Sequence, residues 1–118
     1  MARAPAPDDL LPLTPAVLHI LLAVAGDARH GYAIAQEVEV LSGGAVRMGP
    51  GTLYGSLQRM LAASLIAEVP GDDDAGARRF YRATPLGRQA LALELDRFAR
   101  VVSYARARRL LPARAEAS

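Results

Sequence analysis

The chain has 118 residues, of which 52% are hydrophobic and none is cysteine. This length fits one domain that buries about two-thirds of its unfolded surface, and the lack of cysteine excludes disulfides, thiolate metal sites and a cysteine nucleophile. The net charge is only +2, but all 14 basic residues are arginine. Nine of them lie in the segment from Arg78 to Arg109, which contains only two acids. This local positive charge is consistent either with a polyanion partner or with a solvated helix face.

The start of the chain predicts a loose arm and then a helix. Residues 1–12 contain three prolines and little periodicity, so we expect a flexible arm. Thr14 and Pro15 are typical of an N-cap and a first helical position, and Gly26 is typical of a helix end. The apolar run 16–25 in this helix is about half a membrane span and lacks the flanks of a signal peptide. We therefore expect a soluble, cytoplasmic protein that does not associate with membranes.

Two further helices follow in the pattern of apolar residues. Ile34, Val38 and Leu41 recur at helical spacing and predict helix 2 over about 32–41. Helix 3 is predicted over about 50–63, with an apolar face and an outer face of small or polar residues. The apolar face contains Leu53, Leu57, Met60 and Leu61, and the outer face contains Thr52, Gly55, Ser56 and Arg59. Since a glycine inside a helix costs roughly 1 kcal/mol relative to alanine, Gly55 indicates that something bulky approaches the backbone there.

A β-hairpin and a long last helix are predicted in the second half. Residues 65–70 and 78–83 are short strand candidates on either side of the loop GDDDAGA. Thr84-Pro85 repeats the earlier helix start, and helix 4 is predicted to run to about Arg109, before a flexible tail at 112–118. Apolar residues in helix 4 step by 4, 3, 4 and 3 positions, namely Leu91, Leu95, Phe98, Val102 and Ala105.

This stepped stripe resembles a short coiled-coil seam, and we predict that it is a dimer interface. A second apolar stripe supports that prediction, because one small domain can hardly cover both; it consists of Leu86, Ala90, Leu93 and Val101. The alternative is a surface helix packed on its own domain.

The order of elements predicts a fold class that is mainly α with a small β-hairpin. Three helices followed by a hairpin form a winged helix-turn-helix domain, at 13–84, and the long C-terminal dimerisation helix occupies 85–111. In this arrangement helix 3 is the recognition helix and turns its outer face towards the major groove of DNA. Gly55 then keeps the helix surface clear for the duplex. Arg47, just before helix 3, is either a DNA contact or a free loop charge.

Three motifs resemble the PadR family of transcriptional regulators. HGYAIAQEV (30–38), GPGTLYGSLQRMLAASLI (49–66) and RRFYRATPLGRQAL (78–91) are similar to its second helix, its recognition helix, and its wing strand with the Thr-Pro-x-Gly start of the last helix. The similarity extends over about 13–91, with all three motifs in order. It implies a homodimer joined largely through the C-terminal helix, which binds double-stranded DNA at a palindromic operator. The resemblance also implies that the protein acts as a repressor, which in this family is often released from DNA by a small-molecule effector.

The resemblance implies roles for individual residues. Tyr32 and Tyr54 match positions that contact DNA phosphates, whereas Thr52, Ser56 and Arg59 match positions that face the groove. The residues themselves allow other roles: the tyrosine rings can simply pack, Arg59 can form a surface ion pair, and the two hydroxyls can cap or lie on the surface.

The predicted wing departs from what DNA contact requires at its tip. Asp72, Asp73 and Asp74 lie there, and three carboxylates are repelled by phosphates. We therefore expect DNA contacts from the wing to come from Arg78 and Arg79 on its second strand.

An enzyme is excluded by the inventory of side chains. The chain has two histidines and no cysteine, and no serine has a base and an orienting group nearby in the sequence. GDDDAGA lacks the ligand spacing of an EF-hand, so neither a metal nor another cofactor is expected. The alternative function is a winged-helix protein-interaction module without DNA binding, which should expose apolar residues on the outer face of helix 3.

Overall fold

The computed structural model describes residues 6–70 and 79–112. A short 3-10 helix, Pro7–Leu10, precedes seven elements in chain order: α1 (Pro15–Ala25), β1 (Arg29–His30), α2 (Gly31–Leu41), α3 (Pro50–Ala62), β2 (Ile66–Val69), β3 (Phe80–Ala83) and α4 (Pro85–Ala107). Three helices are thus followed by paired strands and a long last helix. The predicted fold class, a mainly α winged helix-turn-helix with a long C-terminal helix, is confirmed.

Both Thr-Pro pairs start a helix as predicted. The Thr14 hydroxyl oxygen accepts a hydrogen bond from the Val17 amide at 3.2 Å, and the Thr84 hydroxyl oxygen accepts one from the Gly87 amide at 3.0 Å. Each threonine thereby satisfies one of the free N–H groups of a helix start. The Thr84 hydroxyl also lies 2.6 Å from the Ser64 carbonyl oxygen, to which it can donate. Thr84 therefore joins the start of α4 to the segment that leads into β2.

The sheet has three antiparallel strands in the order β1-β3-β2, so the predicted two-stranded hairpin is incomplete. Strand β3 pairs with β2 as expected, with Glu68 opposite Tyr81. It also pairs with β1, where His30 lies opposite Phe80. Because β1 has only two residues, it offers no alternating pattern that could have been seen in the sequence. The third strand ties the α1–α2 connection to the wing.

The core lies between the four helices and the inner face of the sheet. It is formed by residues from every major element, including Ile20, Leu21, Val24, Ile34, Val38, Leu53, Leu57, Met60, Ile66, Tyr81 and Leu91. Leu91, predicted to lie in a dimer interface, is only 6% exposed. That prediction is wrong, because the first two turns of α4 pack on the domain's own core. The predicted second stripe also begins in this core, since Ala90 is buried.

The N-terminal arm is not loose over its described part, which corrects the prediction for residues 6–12. The 3-10 helix packs against α4, and Leu10 and Leu13 pack on the core. The Leu13 amide donates a hydrogen bond to Glu94 Oε2 at 2.6 Å, and the other oxygen of Glu94 pairs with Arg97. Glu94 is 1% exposed. Buried polar groups are stable when they are hydrogen-bonded, and this carboxylate holds the arm against α4.

Replacing Glu94 with alanine should destabilise the domain by about 1–3 kcal/mol, because the partly buried Leu13 amide loses its acceptor and the buried volume of the Glu94 side chain is left empty. Thermal or urea unfolding of the variant measures this loss. Glu68→Ala is the matched control: Glu68 pairs with Arg79 at 3.4 Å on the surface, and exposed pairs contribute about 0–1 kcal/mol. Equal effects of the two substitutions would contradict the structural role of Glu94.

Candidate nucleic-acid interface

Helix α3 buries one face and leaves a small, polar face open. Leu53, Leu57 and Met60 are buried in the core, whereas Thr52 and Arg59 are exposed and Gly55 is partly exposed. The predicted orientation of these six residues is confirmed. The open face is therefore available to a partner that approaches from outside the domain.

Ser56 does not belong to this open face, and its predicted outward orientation is wrong. It is 1% exposed, because it follows Leu53 by three residues and precedes Met60 by four, which places it on the same inward stripe. Its hydroxyl oxygen accepts a hydrogen bond from Arg59 Nη2 at 3.3 Å. Ser56 therefore lies beneath the guanidinium of Arg59 and orients it.

Gly55 has space around it. Within the part of the chain that the structure describes, a Cβ atom added there would meet only Arg59 Nη1, at 3.5 Å, which is an ordinary van der Waals distance. Packing within the domain therefore gives no reason for a glycine at this position. The lack of a side chain at Gly55 instead leaves the backbone accessible on the open face of α3.

Tyr54 stands beside the open face and packs on the start of α2. It is 48% exposed, and a Cβ atom added at Gly31 would lie only 2.8 Å from its Cζ atom. Gly31 therefore makes room for the phenol ring. Tyr32, the next residue of α2, is 67% exposed. The two tyrosines predicted to contact phosphates thus border the same side of the domain. The role of Gly31 was not predicted from the sequence, although a glycine as the first residue of a helix could have drawn attention to it.

Two of the three predicted basic contacts outside α3 can be placed. Arg47 Nε lies 3.6 Å from Glu39 Oε2, and Arg79 Nη1 lies 3.4 Å from Glu68 Oε2, with both arginines well exposed. Surface pairs of this kind contribute about 0–1 kcal/mol, so either arginine can exchange its carboxylate for a phosphate at little cost. Arg78 lies outside the described residues, as do the three acids predicted at the wing tip.

The outer half of α4 carries an apolar surface that its own domain does not cover. Leu95, Phe98 and Val102 are 39%, 41% and 38% exposed, and Ala105 is partly exposed. Leu93, Val101 and Tyr104 extend the exposed apolar surface around the helix. Contiguous apolar patches on a small domain commonly mark an interaction surface.

The described ranges, 6–70 and 79–112, contain neither a candidate metal site nor a helix that could span a membrane. No group of three or more His, Cys, Asp or Glu side chains there could hold a metal ion. Nor is any helix of those ranges both long enough and apolar enough to cross a membrane.

The chain is similar in sequence to proteins from two bacteria. It is 46% identical over 74 residues to the transcriptional regulator Rv3488 of Mycobacterium tuberculosis (strain ATCC 25618 / H37Rv), an alignment that covers 63% of this chain and 66% of that protein. It is 39% identical over 82 residues to an uncharacterized 37.1 kDa protein in transposon TN4556 of Streptomyces fradiae, covering 70% of this chain and 22% of that protein. The chain thus spans 66% and 22% of the lengths of these two relatives.

The fold is shared with solved structures. A PadR family transcription regulator from hypervirulent Clostridium difficile R20291 superposes with a TM-score of 0.67 at 21% identity, over 79% of this chain and 96% of that one. The model of the transcriptional regulator PadR-like family matches residues 17–93, which is more than half of the chain. Both this family model and the Mycobacterium relative describe transcriptional regulators. The chain belongs to the PadR-like family of transcriptional regulators.

Proposed function

We propose that the chain binds a palindromic DNA operator as a homodimer and represses transcription there. The observation that carries the proposal is the open face of α3, where Thr52 and Arg59 are exposed and Gly55 leaves the backbone accessible. An interaction module would instead be expected to expose apolar residues on this face. A small, hydrogen-bonding helix surface suits the edges of base pairs in the major groove.

Arg59 is the proposed base-reading residue. Its guanidinium is exposed and is held by the buried Ser56 hydroxyl, and arginine is the side chain best suited to a bidentate contact with guanine. Thr52 lies nearer the start of the same face. Tyr32, Tyr54, Arg47 and Arg79, together with Arg78, are proposed to contact phosphates, which position a protein on DNA without specifying sequence.

Replacing Arg59 with alanine should weaken binding to the operator by about 1–3 kcal/mol and relax the preference at one base pair in each half-site. Binding-site selection from random DNA, followed by titration of selected and random duplexes, measures both effects. Gln58→Ala, an exposed neighbour on the same helix, is the matched control. If Arg59→Ala weakens selected and random DNA equally, Arg59 contacts a phosphate and not a base.

Dimerisation is proposed to use the uncovered apolar surface of α4. A charge buried in such an interface costs several kcal/mol, so Leu95→Asp combined with Phe98→Asp should convert dimers to monomers in analytical ultracentrifugation. Ser103→Asp combined with Ala107→Asp introduces the same charges on the opposite side of α4 and should leave the dimer intact. A wild-type sedimentation mass of one chain at micromolar concentration would refute the proposal.

A further inference from the structure

The second half of α4 extends beyond its own domain, and the face that packs on the core in the first half is uncovered there. Glu94 is the last buried residue of the helix. Leu91 is buried, whereas Phe98 and Ala105 are exposed and partly exposed, although their spacing of seven residues from one another and from Leu91 places all three on one face. The uncovered stripe runs from Leu95 to Ala105, so its midpoint lies at residue 100.

This uncovered half of α4 is strongly basic. Residues 97–109 contain five arginines and no acid. Two of these arginines pair with acids of the same helix, whereas Arg106 and Arg109 pair with no acid in the described ranges. If two copies of α4 packed side by side in parallel, the five arginines of each would adjoin, and like charges brought together across an interface repel. An antiparallel pair keeps the two arginine-rich ends apart.

The arm carries acids that the chain's own arginines leave unpaired. Asp8 and Asp9 are exposed on the 3-10 helix, and neither pairs with an arginine in the described ranges. Every other acid of those ranges does so except Asp27, in the turn between α1 and β1. The hydrogen bond from the Leu13 amide to Glu94 fixes the arm against α4. The two carboxylates of the arm are therefore held near the point at which α4 leaves the domain.

We propose that the arginine-rich end of α4 docks on the acidic arm of a second copy, with the two α4 helices antiparallel. This inference rests on the proposed homodimer and names the surfaces that it joins. A two-fold axis at residue 100 places Arg106 opposite Glu94 of the partner subunit, since each lies six residues, roughly 9 Å, from the axis. The partner's arm is attached at that point, so the last turn of α4 meets Asp8 and Asp9 of the partner subunit. In a two-fold dimer the contact forms twice.

Cysteine crosslinking tests the direction of the two helices. The chain contains no cysteine, so an introduced thiol is the only one in its protomer. After subunit exchange and mild oxidation, a mixture of Asp8→Cys and Arg106→Cys proteins should give crosslinked dimers that contain one chain of each. Asp27→Cys mixed with Arg106→Cys is the matched control and should give none. If Arg106→Cys crosslinks efficiently with itself, the helices are parallel and the proposal is wrong.

Charge reversal tests whether the contact stabilises the dimer. Asp8→Arg and Arg106→Glu should each raise the dimer dissociation constant at least tenfold in analytical ultracentrifugation at low salt, because an attraction that forms twice becomes a repulsion. The two substitutions together should restore the wild-type value, since the pair is rebuilt with its signs exchanged. Asp27→Arg makes the same change of charge away from the arm and should leave the constant unchanged. A combined variant that dimerises no better than the single variants would overturn the contact.

Failure of this contact can be told apart from failure of the proposed dimer. A wild-type chain that is monomeric at micromolar concentration would refute the homodimer and, with it, the docking of α4 on the arm. A wild-type dimer whose dissociation constant is the same in Asp8→Arg, and which does not crosslink between Asp8→Cys and Arg106→Cys, would keep the homodimer and refute the docking alone. Thermal melts of each variant establish that a lost dimer does not reflect a lost fold.

Discussion

Raising the salt concentration from 50 to 200 mM should weaken operator binding by a factor on the order of 10³–10⁵. Such losses are typical of proteins that make roughly 6–10 phosphate contacts, because each contact by an arginine releases counterions from the DNA. Three proposed phosphate-contacting arginines in each protomer, Arg47, Arg78 and Arg79, supply about six such contacts in a dimer. Arg47 and Arg79 each pair with an exposed carboxylate, so they can turn to DNA without a large loss of stability.

Titrations of a labelled operator at several salt concentrations measure this dependence as a slope. Arg47→Gln should make the slope less steep by about two in a dimer, or one in each protomer. Glu39→Gln, which removes the partner of Arg47 but keeps the arginine, is the matched control and should leave the slope equal or steeper. A flat salt response of the wild type would favour a protein-interaction module over a DNA-binding regulator.

The parts of the fold that depend on local chemistry were predictable from the sequence. Thr14-Pro15 and Thr84-Pro85 each combine a capping hydroxyl with a proline, whose missing backbone N–H would have no partner in the first turn of a helix. Helices α1 and α4 start at these pairs. The apolar spacing of Leu53, Leu57 and Met60 identified the buried face of α3. In each of these cases the signal lies within one turn or one face of a single helix.

The parts that were missed depend on contacts between distant segments. In the sequence, Glu94 is one of two acids in a basic stretch, and nothing near it indicates burial. It is buried because it accepts a hydrogen bond from the amide of Leu13, which lies 81 positions earlier in the chain. Leu91 has the same apolar character and helical spacing as the rest of the α4 stripe. In the structure, however, Leu91 is buried in the domain's own core, whereas Leu95 and the residues after it lie on the uncovered surface. No periodicity within α4 marks that point. Ser56 is a different case, because its inward position does follow from its helical spacing to Leu53 and Met60. It was assigned to the outer face because serine is polar.

The Thr-Pro-x-Gly motif shows what a required glycine looks like in this fold. A Cβ atom added at Gly87 would overlap the carbonyl oxygen of Leu65 and lie 3.1 Å from its carbonyl carbon. That carbonyl oxygen already accepts a hydrogen bond from the Thr84 amide at 3.0 Å. Since the obstacle is backbone, no side-chain rotation can relieve it. Gly87 is needed for α4 to approach the segment before β2.

Replacing Gly55 with leucine should abolish operator binding while the melting temperature stays equal or rises. Leucine is a better helix former than glycine, which costs roughly 0.8–1.0 kcal/mol relative to alanine in a helix interior. Among the described residues, an added Cβ would meet only the end of the flexible Arg59 side chain. The added side chain projects over the open face of α3, where the duplex is proposed to lie. Titration of the selected operator and a thermal melt measure the two effects separately.

Gly87→Ala is the matched glycine substitution and should behave in the opposite way. Forcing α4 away from Leu65 costs at least about 1–3 kcal/mol, as overpacking of a core usually does, so the melting temperature should fall sharply and DNA binding should be lost with the fold. The contrast separates a glycine kept for a partner from a glycine kept for packing. If Gly55→Leu also lowers the melting temperature, the open face of α3 is not free in the folded protein, and Gly55 serves the domain itself and not the DNA.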